Sequence, residues 1–101
     1  MTEKTKTQKN EADEYFENFF EEKEGIQEFN YTTVKENHVW DFNYTKENMV
    51  KILKSFDNET KNKIRKIMIK IDFKNGDINH FLEYVFLGYA KMQMGEKLDG
   101  N

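Results

Sequence analysis

The chain has no cysteine and no proline, a single serine (Ser55), a single arginine (Arg65) and two histidines, His38 and His80. Each shortage excludes something. Without cysteine there is neither a disulfide framework nor a thiolate metal site. Without proline no slow X-Pro isomerisation limits folding. One serine and two well-separated histidines leave little from which to build a nucleophile with its base, and there is no glycine-rich phosphate loop or dinucleotide fingerprint. His80 and Glu83 stand three apart, a spacing that suits two metal ligands, but no further ligands accompany them. Paired carboxylates such as Glu21 and Glu22 lie on a solvated helix face, with no cleft to raise a pKa. The expectation is a non-enzyme with no metal site and no cofactor. No apolar run approaches the roughly 18 residues of a membrane span, and residues 1–10 are polar with no signal-peptide core, so the expected location is the cytoplasm.

What is present is aromatic: nine Phe, five Tyr and one Trp in 101 residues. Such a chain folds, and a few large rings supply much of its buried area. The net charge of −3 conceals a split: residues 1–30 carry −5, 31–45 carry −1, 46–74 carry +5 and 75–101 carry −2. A partner with a strong field meets one part of such a chain preferentially.

Periodicity predicts one α+β domain, mostly helical, over residues 11–94, with flexible tails at 1–10 and 95–101. Ala12, Tyr15, Phe16, Phe19 and Phe20 recur at helical spacing, opposite Asp13, Glu14, Glu17, Glu21 and Glu24, and Gly25 is placed to end that helix. Phe29, Tyr31 and Thr33 then alternate with polar residues, as do Trp40, Phe42 and Tyr44. A loop of two or four residues centred between Glu36 and Asn37 sets Thr33 opposite Trp40, Tyr31 opposite Phe42 and Phe29 opposite Tyr44, with all the large groups on one face. Thr45 is a helix cap ahead of Met49, Ile52, Leu53 and Phe56. Asp57 or Asn58 caps a third helix built on Ile64, Ile67, Met68 and Ile71. Ile67, Ile69, Ile71 and Phe73 also alternate as a strand would, but the helical period already running from Ile64 favours helix. Asn75-Gly76 forms a turn, and Asp77 caps a last helix with Ile78, Phe81, Leu82, Val85, Phe86 and Tyr89 in its core stripe. That helix is apolar nearly all round, which predicts either a central position or a second copy. The order is helix, β-hairpin, three helices.

Two tandem helices over 46–74, the second rich in lysine, with a hairpin nearby, form a winged, helix-turn-helix-like outline. At 100° per residue Lys63, Lys66, Lys70 and Lys74 share one flank beside the apolar stripe, and Lys61 and Arg65 lie on the other. The candidate DNA-binding residues are Lys61, Asn62, Lys63, Arg65, Lys66, Lys70 and Lys74, with Thr60 at the helix start; lysines contact phosphates, while Asn, Thr and Arg read bases. The bland alternative is a lysine face that only keeps the protein in solution. A ribbon-helix-helix order, from strand Val39–Tyr44 and the two helices, ranks lower because its aromatics look like core. The acidic helix 11–24 suggests a different class, a protein-binding inhibitor that mimics a nucleic-acid backbone.

Val39–Phe56 (VWDFNYTKENMVKILKSF) and Asn58–Ile71 (NETKNKIRKIMIKI) resemble the small winged-helix DNA-binding accessory proteins of clostridial conjugative plasmids. The resemblance implies a protein that binds a short repeated DNA box and helps assemble a relaxosome. The leading expectation is a sequence-specific binder of duplex DNA from a plasmid or phage, a transfer-origin component or a transcriptional regulator. Its further expected partners are a second copy of itself, as a homodimer, and other proteins of a nucleoprotein complex.

Overall fold

A computed structural model describes residues 10–99, with side-chain surroundings through Gly95. The order is α1 (Glu11–Glu22), β1 (Phe29–Lys35), β2 (His38–Tyr44), α2 (Lys46–Ser55), α3 (Asn58–Phe73) and α4 (Ile78–Asp99). This is the expected α+β layout. The expected tail 1–10 lies, apart from Asn10, outside the described residues. Of the expected tail 95–101, residues 95–99 continue α4 instead, because nothing between Gly95 and Asp99 stops the helical backbone.

Local chemistry sets the boundaries. Asn10 caps α1, its side-chain oxygen accepting from the Ala12 amide at 2.8 Å. Thr45 does the same for Asn48 at 3.1 Å, Asp57 for Thr60 at 2.8 Å, and Asp77 for both Asn79 and His80. Each side chain satisfies amides that the first helical turn leaves unpaired. Hydrogen bonds from Thr60 hold the Asp57 carboxyl below its usual pKa. Helix α3 stops in a Schellman arrangement: Asn75 is left-handed (φ 57°), and the Gly76 amide donates to Ile71 O at 2.7 Å. A Cβ on Gly76 would meet Ile71 Cγ2 at 2.9 Å, so a side chain there crowds the turn.

The hairpin has the expected register, Phe29 opposite Tyr44, Tyr31 opposite Phe42 and Thr33 opposite Trp40. Glu36 and Asn37 form a two-residue turn, both at positive φ (57° and 61°). That is the type I′ geometry, which suits the twist of paired strands but taxes non-glycine residues. The double substitution Glu36→Asn/Asn37→Gly should raise the unfolding free energy by about 1 kcal/mol, read as a higher urea midpoint at unchanged slope. A lower midpoint would mean that the turn geometry is different.

Fully buried Ala12, Phe16, Met49, Leu53, Met68, Leu82 and Ala90 centre the core. Helix α1 packs on α2 and α3, and the hairpin meets α2 and α4. Tyr44 is the hinge of that last junction, its ring 5.2 Å from Phe86 and 6.5 Å from Tyr89, while Phe56 of the α2–α3 link lies 5.7 Å from Tyr89. Beside Tyr44 the hairpin side chains Phe29, Tyr31 and Phe42 pack against the edge of the core. Trp40, Phe42 and Tyr31 are half-exposed, and Val34 and Val39 near the turn are exposed. Asn79 ties the α1–β1 connection to α4, accepting from the Gln27 amide at 2.8 Å and donating to Gly25 O at 2.9 Å. In α4 the buried line runs Ile78, Leu82, Phe86, Ala90, Met94, with Phe81, Val85 and Tyr89 half-buried beside it.

Candidate nucleic-acid interface

Residues 67–73 are helical, so the flank defined by helical spacing exists. Helix α3 buries Lys61, Ile64 and Met68, spaced three and four apart on one side. Lys63, Lys66, Lys70 and Lys74 turn away from that side and are exposed. Lys66, Lys70 and Lys74 enter no ion pair among the described residues, and the ion pair Lys63 makes there is with Glu59, at 3.7 Å with both side chains more than 70 % exposed. A pair so solvated contributes little and leaves the lysine available. From Lys63 to Lys74 the lysines extend about 16 Å along the helix axis.

The opposite flank is different. Lys61 is 6 % exposed, and its Nζ donates to Asp13 Oδ1 at 2.8 Å and to Lys54 O at 3.4 Å. It is therefore not at the DNA-facing surface expected of it. The reason is tertiary: helix α1 lies over that flank and supplies the carboxylate. Arg65 is half-buried for the same reason, with Glu11 at 3.7 Å. Its buried Nε has no hydrogen-bond partner among the described residues. Asn62 is half-exposed and Thr60 exposed, on the rim of the lysine flank.

The charge split along the chain is thus partly consumed within it. Asp13, Glu17 and Glu11 of α1 pair with Lys61, Lys54 and Arg65, and Lys23 just beyond α1 pairs with Asp72 of α3. Helical spacing alone puts five acidic residues together in solvent. Two of them, Asp13 and Glu17, face the basic helices instead, while Glu14, Glu21 and Glu24 are exposed together with Glu22. At this seam Tyr15 is pushed above its usual pKa by burial and by the Asp72 charge, against a smaller opposing effect of Arg65.

Two features of the surface are not apparent from periodicity. Phe73 is 85 % exposed and Ile69 42 %, although both belong to the alternating apolar run. With Lys66 and Lys70 they line an open hollow of about 500 Å³. On α4, Tyr84 and Met92 are exposed on either side of Gly88, where a Cβ would meet nothing within 4 Å among the described residues. The signal that points to Phe73 is its place next to the helix-ending Asn75-Gly76, where no later turn covers it.

Among the described residues no three His, Cys, Asp or Glu side chains gather as metal ligands, and no helix is long and apolar enough to cross a membrane. His80 and Glu83 are both exposed. Compared with protein-family models, with curated proteins and with solved structures, the chain has no significant match.

Proposed function

We propose that the protein is a non-enzymatic, cytoplasmic DNA-binding accessory protein that contacts DNA through the outward lysines of α3. The observation that carries this reading is the flank Lys63, Lys66, Lys70 and Lys74, exposed along one helix and its C-cap and without a strong internal partner among the described residues. Four cations along about 16 Å of helix present the charge pattern that phosphates attract, and such contacts bind by releasing counterions. Asn62 and Thr60, on the rim, are the side chains placed to read base edges. Lys61 and Arg65 have structural duties and take no part. A role in a plasmid transfer-origin complex or in transcriptional regulation draws on the resemblance of Val39–Phe56 and Asn58–Ile71.

The test is a titration against duplex DNA at several salt concentrations. Each phosphate contact adds about 0.9 to the slope of log affinity against log salt, so the Lys63→Ala/Lys66→Ala/Lys70→Ala variant should lose roughly 2 to 3 units of slope. Lys61→Met should leave the slope unchanged. Absence of binding even at low salt would sink the proposal, and an unchanged slope in the triple variant would place the contact elsewhere. The alternative, a protein-binding inhibitor acting through the acidic segment 11–24, retains Glu14, Glu21 and Glu22 as exposed carboxylates of α1, with Glu24 just beyond the helix. Stoichiometric capture of one basic host protein, without DNA, would favour it.

For the partner of α4 we propose a second copy of the chain. Gly88 stands mid-helix, where glycine costs about 1 kcal/mol relative to alanine. No positive φ and no close contact among the described residues requires it. Tyr84 and Gly88 are one turn apart, so a two-fold axis between antiparallel α4 helices seats each Tyr84 over the partner's Gly88. Light scattering should then give twice the 12.2 kDa of one chain, and Gly88→Leu should give a well-folded monomer. A wild-type mass of one chain at high concentration would refute the dimer.

A further inference from the structure

The most exposed large apolar side chain among the described residues is Phe73, and it shares its surface hollow with Ile69 and the cations Lys66 and Lys70. Lys66, Lys70 and Lys74 follow one another at i+4 spacing. They form a ridge whose Cβ atoms stand about 6 Å apart, close to the repeat of successive phosphates along a strand. Beside this ridge, Ile69 and Phe73 lie at i and i+4 and form the apolar wall of the hollow shared with Lys66 and Lys70. A purely electrostatic contact with duplex DNA has no use for that wall. In a duplex the base faces are covered by their neighbours and only the edges are reachable. An unpaired strand offers both of the things this surface is built to meet, phosphates for the ridge and a bare π-face for the ring.

We propose that α3 binds an unpaired segment of a DNA strand, with its phosphates along Lys66, Lys70 and Lys74 and one base stacked on Phe73 over Ile69. The inference rests on the DNA-binding reading above and narrows it to strands with at least one base out of the duplex. Phe73 and Ile69 are open to solvent, so a base reaches them without displacing protein. Stacking of this kind tolerates any base, so the site distinguishes single from double strands more strongly than one sequence from another. An anionic bilayer also offers negative charge and apolar depth. It is the weaker match, because Ile69 and Phe73 form a strip only two residues long beside the lysines, where a membrane-lying helix presents a continuous apolar face.

The experiment is fluorescence anisotropy with a labelled thymidine oligonucleotide, single-stranded and annealed to its complement. It uses the full chain and the variants Phe73→Ala, Phe73→Tyr and Lys66→Ala/Lys70→Ala/Lys74→Ala. Phe73 is solvent-exposed, so its removal leaves the core intact, which circular dichroism checks. We expect the single strand to bind more tightly than the duplex. Phe73→Ala should lower its affinity about 5- to 100-fold with the salt slope unchanged, while Phe73→Tyr keeps it and the duplex affinity does not move. The triple lysine variant should lose slope on both forms. If Phe73→Ala binds the single strand as well as the wild type does, the stack is wrong while the DNA reading stands. Equal losses on both forms would overturn the preference for unpaired bases. If neither form binds at low salt, both readings fall. Phe73-dependent binding to phosphatidylserine vesicles, with no effect on oligonucleotides, would overturn the proposal in favour of a lipid surface.

Discussion

Asp13→Ala should lower the unfolding free energy by about 3 kcal/mol at neutral pH. Its partner Lys61 keeps only 7 % of its side chain exposed, and the carboxylate at 2.8 Å is the only opposite charge that it meets among the described residues. Removing Asp13 leaves an ammonium inside the helical layer with one long bond, to Lys54 O at 3.4 Å. Burying a charge without its partner is the expensive event; the pair itself contributes little net stability. Lys61→Met is the control, since it removes the cation and retains an apolar stem of similar length. Its stability should stay within about 1 kcal/mol of wild type. Urea unfolding of the two variants separates them. Small and equal losses would mean that water still reaches the Lys61 ammonium. The same variants bear on function, because a structural Lys61 leaves DNA affinity untouched when replaced by Met.

At Tyr44, two substitutions should act in opposite directions. Its ring joins the hairpin to α4 through Phe86 and Tyr89, and it is 4 % exposed. Tyr44→Ala empties that junction and should cost about 3 to 5 kcal/mol, the usual loss for a large buried aromatic. Its hydroxyl, however, is buried without a hydrogen-bond partner among the described residues. Tyr44→Phe therefore removes an unsatisfied polar group and should gain about 1 kcal/mol. Burial, then the neighbouring Tyr89, pushes the Tyr44 pKa up to about 12 from its ordinary value of 10.0. A raised pKa on an acid favours the neutral form in the folded state, so the stability it confers is complete below pH 10. That stability is lost as pH rises from 10 through 12, on the order of 2 kcal/mol in all. Urea midpoints at pH 8 and pH 11 should diverge less for Tyr44→Phe than for the wild type. Part of the alkaline loss should survive in the variant, because Tyr15 is also raised by burial. If both proteins lose the same stability, Tyr44 ionises as freely folded as unfolded.

Much of the fold is legible in the amino-acid sequence, and the reasons are local. The hairpin register follows from keeping Phe29, Tyr31, Trp40, Phe42 and Tyr44 on one face, because a shift of one residue inverts every side chain. The caps at Thr45, Asp57 and Asp77 follow from oxygen-bearing side chains placed before apolar-periodic runs. The alternating run Ile67, Ile69, Ile71, Phe73 is ambiguous on its face, and the helical reading holds because the period begins upstream at Ile64. Helix α4 outlasts its expected end by several residues, since glycine at position 95 permits a helix as well as a stop.

The candidate site is legible only in part. Helical spacing places Lys63, Lys66, Lys70 and Lys74 together, and they are together and exposed. The same spacing puts Lys61 and Arg65 on a second flank but says nothing of what packs there. Nor does it show that Ile69 and Phe73 stay uncovered, because apolar residues in a periodic run look like core wherever they stand.

What the sequence by itself determined is thus the set of elements, their caps, the hairpin register and the uneven distribution of charge, all products of interactions among near neighbours. The tertiary structure alone decided which of those charges remain available. Laying α1 across α2 and α3 brings Asp13 to Lys61, 48 residues away along the chain, and leaves the other flank and Phe73 in water. A buried charge survives only beside its opposite, and only the folded chain brings the two together.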